Sequence, residues 1–405
     1  MELDTGNTAW VLISSALVML MTPGLGLFYG GLVRKKNVLS TLMHSYFILC
    51  LIAIVWALWG YSLAFSGTGR FIGNLKNIGL RGVGEQPGAT GVPAMAFMFF
   101  QMMFAIITVA LISGAFAERK NFKAFIVFAI LWSTLVYSVV CHWVWATGGW
   151  LFDYGAMDFA GGTVVHIASG VTALISAIVI GRRVGVEKEG ITPHDIPMTL
   201  IGAGLLWFGW YGFNAGSALA ADGLAANAFV VTTLSAAAAG LTWVAMAWWR
   251  TGKPSVLGTG VGAVAGLVAI TPAAGFVSPM SSIAIGAVAG VVCFFAAERI
   301  TAGGQVDDAL DVFAVHGVGG IWGALATGIF ADASLNGIGS DGLLYGNPEQ
   351  LLKQIVAVVA VIVYVSIVSL VLLKIVDALF GLRAPEDAEV AGLDLSLHGE
   401  TAYQM

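Results

Sequence analysis

Two histidines stand where an ionisable side chain is expensive. His166 lies in the stretch from Asp158 to Gly170 and His316 in the stretch from Asp311 to Gly323, each with at least about one and a half apolar turns on either side. An ionisable group inside a segment long enough to cross a membrane is a functional hypothesis by default, and a short imidazole at that depth cannot reach water. Neutral imidazole carries one donor and one acceptor, so two facing rings can satisfy each other. The chemistry open to such a pair is to accept hydrogen bonds from a small polar solute, to relay a proton, or to hold a haem iron as axial ligands. The competing reading is that each is a satisfied core residue.

Other residues could flank that pair. Phe99, Phe100, Gln101, Met102, Met103 and Phe104 form one aromatic cluster, and Trp207, Phe208, Gly209, Trp210, Tyr211, Gly212 and Phe213 form another. Rings on the outer side can hold a cation over their faces at about 0.5 to 2 kcal/mol, while rings deeper in would exclude hydrated ions. The plain alternative is packing or an interfacial belt. Asp158, near Thr163, precedes one histidine, and Asp307, Asp308 and Asp311 precede the other. Carboxylates there suit helix caps, although Asp158 would also lie where a cation enters. His44, His194 and His398 read as solvated or hydrogen-bonded structural residues, and His142, beside Trp143 and Trp145, as interfacial. Cys50, Cys141 and Cys293 are odd in number, unpaired in spacing and set in apolar runs, so they read as small core residues. No nucleotide-binding, triad or metal-ligand motif is present, so neither an enzyme nor a cofactor is indicated. Any transport must run downhill or on an ion gradient.

The elements that must position these residues are membrane helices. Of 405 residues, 58% are hydrophobic and only 10% charged, with 53 glycines; this is the composition of an all-α polytopic membrane protein. Residues 1–9 lack Lys and Arg, so the first apolar run is kept as a span rather than a cleaved signal. Eleven spans are expected, near 8–31, 40–65, 93–117, 123–146, 160–181, 197–219, 225–249, 256–274, 280–298, 308–330 and 352–380. Lys and Arg mark cytoplasmic loops. Arg34, Lys35, Lys36, Arg119, Lys120, Lys123, Arg182, Arg183, Lys188, Arg250, Lys253, Arg299, Lys374 and Arg383 fall on one side, against Arg70, Lys76, Arg81 and Lys353 on the other. The N-terminus is therefore expected outside and the C-terminus inside, in agreement with an odd number of spans.

The histidines fall in spans five and ten, 150 residues apart. That divides the chain into two five-helix halves, inverted relative to each other, plus a last helix. Residues 1–380 form the transmembrane domain and 381–405 a short acidic tail. Glycines four apart (Gly26 and Gly30, Gly212 and Gly216, Gly262 and Gly266, Gly286 and Gly290, Gly319 and Gly323) suit close helix packing. Pro23, Pro193, Pro197 and Pro272 are expected near span ends.

Four stretches, 100–108, 158–166, 209–217 and 311–317, together resemble the ammonium transporter (Amt/Mep/Rh) family, specifically its Amt branch, in order and over almost the whole chain. The resemblance implies a homotrimer in the cell membrane, with a pore through each subunit for ammonium, ammonia or methylammonium. It places the outer cation site on Trp145, Phe104 and Ser217. The phenylalanine gate falls on Phe104, with Phe100 above it or Phe213 as its mate, and the twin pore histidines on His166 and His316. Asp158 takes the family's structural or recruiting aspartate. The tail is implied to contact neighbouring subunits and a PII-type signal protein on the inner face; no nucleic acid is implied. Tyr211, Ala146, Thr147 and Ala168 depart from the family's usual residues. A sensor with little flux and a bis-histidine haem protein are the alternatives.

Overall fold

The computed structural model describes residues 2–186, 191–302 and 306–403, so Lys188 lies outside the described residues. Helices make up nearly all of it, and no strand occurs among the described residues beyond two isolated bridges. In chain order the helices are α1 (Thr5–Leu32), α2 (Lys35–Phe65), α3 (Ala94–Phe116), α4 (Phe122–Tyr154), α5 (Gly162–Ile180), α6 (Ile196–Ala218), α7 (Gly223–Thr251), α8 (Val256–Ile270), α9 (Pro279–Ile300), α10 (Phe313–Phe330) and α11 (Pro348–Phe380). Side chains at their entries satisfy first-turn amides: Asp4 caps α1, Asn121 α4, Asp195 α6, Asp222 α7 and Ser255 α8.

Ten of these helices are long and apolar enough to cross a membrane. The expected span 256–274, the eighth in chain order, is the exception. As a helix, α8 has 15 residues, which is about 22 Å at 1.5 Å per residue and short of a bilayer core of roughly 30 Å. It stops because the Thr271 amide turns back to the Val268 carbonyl (3.2 Å) and Pro272 has no amide to continue the ladder.

Three local expectations are corrected. Pro23 sits inside α1 rather than near its end. Cys50 is exposed on the outer surface of α2, while Cys141 and Cys293 are buried. His142 is not an interfacial ring: it is fully buried, with Nδ1 2.7 Å from the Ala64 carbonyl and Nε2 against the Gly69 carbonyl. It ties α4 to the end of α2 and the loop that follows. Among the paired glycines, Gly262, Gly266, Gly286 and Gly290 press α8 and α9 onto α7. A Cβ on Gly286 would stand 2.2 Å from the Ser235 carbonyl oxygen, so no side chain is accommodated there.

The connections after α1, α3 and α5 meet on one side of the bundle, and several of the basic residues counted there are buried. Glu118 accepts from Arg34 (Nε, 3.0 Å), Asn37 (2.9 Å) and Arg183 (Nη1, 3.1 Å), and Arg183 makes a second, forked pairing with Asp307. Burial raises the Glu118 carboxyl, but Arg183 and Arg34 outweigh it and hold the group below the usual carboxylate range. The segment 381–403 lies against this same side. Leu382 accepts from the Asn121 amide, the Leu393 amide donates to Asn37 Oδ1 (2.8 Å), and the Asp394 carboxylate accepts from the first-turn amides of Leu39 and Ser40 (3.0 and 2.7 Å).

Beneath that segment, Lys120 is buried, with Nζ 4.7 Å from the Phe116 ring centroid and 5.4 Å from that of Phe128. Burial pushes its pKa from 10.5 down to about 7. The folded state then binds fewer protons than the unfolded chain between pH 7 and 10.5, so this group's destabilisation is full below pH 7 and is relieved as pH rises. Thermal stability of wild type relative to Lys120→Met is expected to climb over that window; parallel melting curves from pH 6 to 10 would refute it.

Candidate functional site

Sequence places His166 and His316 on different helices; the fold brings them together through glycine. Gly170, one turn beyond His166, crosses Gly317 so closely that a Cβ on Gly170 would lie 2.2 Å from the Gly317 nitrogen. At that crossing the two Nδ1 atoms are 3.2 Å apart and the rings are nearly parallel, 5.2 Å between centroids at 23°. Both are buried, 1% and 4% exposed. Since one Nδ1 must donate and the other accept, each neutral tautomer of the pair leaves an acceptor Nε2 on one ring and an Nε2–H on the other.

Both histidines ride on the same local device. Each helix opens with a six-residue π-helical segment, Gly162–Ile167 in α5 and Phe313–Val318 in α10. Wide turns of this kind recur at functional sites. Eight residues before each ring stands an aspartate, Asp158 or Asp308, and three residues after each aspartate the backbone turns left-handed, at Gly161 (φ 120°) and Asp311 (φ 56°). The Asp158 carboxylate accepts from the amides of Gly161, Gly162 and Thr163 at 2.6 to 2.7 Å, from Val164 at 3.3 Å and from the Thr163 hydroxyl. Asp308 accepts from the Phe313 amide at 2.6 Å, and burial, with Asp311 beside it, pushes its carboxyl up to about 7. Asp158→Ala would orphan at least three buried amides, and is expected to cost about 2 to 4 kcal/mol, read as a lower melting temperature of the purified protein; an unchanged melt would show that the carboxylate is not the cap.

An aromatic column leads away from the histidines. His166 stacks on Trp210 (5.4 Å, 19°) and Phe213 (5.9 Å, 27°), and the Trp210 indole is anchored by donating to Thr271 Oγ1 at 2.9 Å. Phe213 leans on Phe104 (4.3 Å, 34°), which meets Phe100 edge-on at 4.9 Å and Trp145 edge-on at 5.7 Å. Phe104 and Phe213 separate two cavities. One, of about 10 Å³, is lined by both histidines with Leu25, Phe28, Trp210 and Phe213; it is the size of a single small molecule. The other, of about 150 Å³, is lined by Phe100, Gln101, Phe104, Trp145, Ser217 and Leu219 among others.

The expected outer residues Trp145, Phe104 and Ser217 are therefore brought to one cavity. Trp145 Nε1 donates to the Asp158 carbonyl at 2.9 Å and Ser217 Oγ to the Phe213 carbonyl at 2.8 Å, so the ring face and the hydroxyl lone pairs are left for a ligand. Asp158 holds this site through its backbone and the histidine segment through its carboxylate. Phe100 belongs to the larger cavity, and Phe213 faces the histidines. Tyr211 points elsewhere, stacked on Phe229 at 3.9 Å. Sequence reasoning missed Trp210 as the plate behind His166, Leu219 with its φ of 55° at the cavity wall, and the Gly170–Gly317 crossing. Matched Asp-to-His offsets of eight in both halves were the available signal for a shared construction. With the imidazoles in direct contact, no haem plane fits between them, which removes the bis-histidine haem arrangement.

Fold and site together define a multi-pass helical membrane protein with buried polar groups set in an apolar path. A sequence model of the Ammonium Transporter Family matches residues 9–403. The chain is 52% identical to an ammonium transporter of Bacillus subtilis, over 99% of each. Its structure is similar to that of Candida albicans Mep2 (TM-score 0.91, 39% identity, 99% of this chain and 91% of that one) and to a protein titled Sensor Amt Protein (TM-score 0.89, 28% identity, 97% and 98%). The chain belongs to the ammonium transporter family.

Proposed function

We propose that the protein carries ammonium nitrogen across the cell membrane, with the N-terminus outside, the C-terminus in the cytoplasm, eleven crossings that include the short α8, and two inverted five-helix halves followed by α11. Ammonium settles in the outer cavity over the faces of Trp145 and Phe104 and donates a hydrogen bond to Ser217. A bare cation is heavily penalised in an apolar lumen, whereas neutral ammonia is not. The proton is shed before the Phe104–Phe213 gate, with Phe100 on its outer side, and ammonia passes His166 and His316, one ring accepting its hydrogen bond and the other donating to its lone pair, and the pair offers a proton path. Asp158 is structural. Three subunits assemble, each with its own pore, and the tail 381–405 is a regulatory segment at the face where a PII-type protein docks.

The observation that carries this reading is the 3.2 Å contact of two buried imidazoles lining a cavity of one small molecule. Such a passage suits a small neutral base and rejects a hydrated ion. Current recorded from protein on a supported membrane under an ammonium pulse, beside pH-reported ammonia entry into proteoliposomes, tests it; absence of both fluxes would overturn transport. A sensor with little flux is the second reading, favoured by the likeness to the Sensor Amt Protein, and ammonium binding without flux would select it.

A further inference from the structure

The outer cavity holds one polar side chain that the reading above does not use. Gln101, on α3 one turn below Phe97 and three residues before Phe104, lines the cavity and is 9% exposed. Its amide oxygen is buried and has no hydrogen-bond partner, and no described residue hydrogen-bonds to the amide at either end. A buried amide left unpaired costs about 1 to 3 kcal/mol, so an apolar residue here would give a more stable wall. Because no protein hydrogen bond pins the group, the amide plane is free to turn its oxygen toward whatever occupies the cavity; this terminal torsion is soft and two-fold.

The other polar groups are committed in a complementary way. The Trp145 N–H and the Ser217 O–H both donate to carbonyls of the protein, so these two residues offer a ring face and an acceptor rather than donors. Two oxygens, Ser217 Oγ and Gln101 Oε1, with the rings of Trp145 and Phe104, match the four N–H bonds of a tetrahedral cation. They fall far short of the oxygen shell that an alkali ion needs to shed its water.

We propose that the Gln101 amide oxygen is a direct acceptor for ammonium in the outer cavity, paired with Ser217, and that the two together select N–H donors over alkali cations. The inference rests on the functional reading above and is tested by binding, which does not require flux. Ammonium is titrated calorimetrically into purified wild type, Gln101→Leu and Gln101→Glu, with melting curves to monitor folding. Wild type is expected to bind, Gln101→Leu to bind roughly ten- to a hundredfold more weakly, and Gln101→Glu, which keeps an acceptor at the same reach, to bind at least as tightly as wild type. Equal affinity of wild type and Gln101→Leu overturns the proposal, as does a Gln101→Glu variant as weak as Gln101→Leu, which would mark a packing effect. Should Gln101→Leu fail to fold, Gln101→Met is judged by the same criterion. No binding by wild type overturns both this inference and the outer-site reading, while binding with the expected pattern but no flux overturns transport alone.

Discussion

A chain carrying His166→Leu and His316→Leu together is expected to lose at least about nine-tenths of its uptake of labelled methylammonium, or to keep flux only by admitting alkali ions. The two rings are the polar groups facing the narrow cavity whose remaining wall is Leu25, Phe28, Trp210, Phe213 and similar apolar side chains. Removing them withdraws the hydrogen-bonding groups, one acceptor and one donor, that replace the water a small base leaves behind, at about 0.5 to 1.5 kcal/mol for each hydrogen bond, or roughly tenfold or more for both. Leucine fills a similar volume but is not flat, so it cannot lie parallel against Trp210 and Phe213 as His166 does, and the shape of the bore changes there as well. Unaltered uptake and unaltered discrimination against potassium in the double variant would defeat the role assigned to the pair. Single variants separate the contributions, since either leaves the other ring without its Nδ1 partner.

Gly170→Val is expected to be at least as severe, by a different route. The new Cβ would meet the Gly317 nitrogen at 2.2 Å and its Cα at 2.5 Å, both backbone atoms that cannot swing aside. The helices α5 and α10 must then separate by an ångström or more, which breaks the imidazole contact and loosens the packing around it. Loss of dense interhelical contact in a membrane bundle removes the main force that holds such helices together. The expected outcome is little or no folded protein in the membrane fraction, and no flux from what remains. Gly170→Ala places the same Cβ in the same contact, so it should fail nearly as completely; normal accumulation of the alanine variant would show that the crossing is not as tight as described.

The membrane class, the extents of ten helices and the meeting of the two histidines were legible because burial in lipid imposes long apolar runs and makes any ionisable group within them conspicuous. Other features were not. That α8 ends at Ile270 depends on a turn at Thr271 and Pro272 that apolar periodicity does not report. His142 shares its surroundings in sequence with an interfacial tryptophan cluster, and only the carbonyls of Ala64 and Gly69, far away along the chain, reveal it as buried. Likewise Arg119, Lys120 and Arg183 read as loop charges until Asp307, Glu118 and the aromatic rings that surround them are brought in from other segments. Within the site, Trp145, Phe104 and Ser217 could be named from the family resemblance, but the division of labour between Phe100 and Phe213 is a matter of which side of Phe104 each ring occupies.

The repeated spacing from Asp158 to His166 and from Asp308 to His316 acts as a ruler. In each half the carboxylate fixes where the coil begins, and the count of residues from that origin fixes the compass direction of the ring. Deleting or inserting one residue inside either interval would swing the imidazole by about 100° around the helix axis, far beyond what side-chain rotation can recover. Length changes in the loop between α2 and α3 disturb no such count. Tolerance to insertions should thus fall to nothing in two short windows, 159–165 and 309–315, and that pattern is readable from a scan of single-codon insertions scored for growth on limiting ammonium.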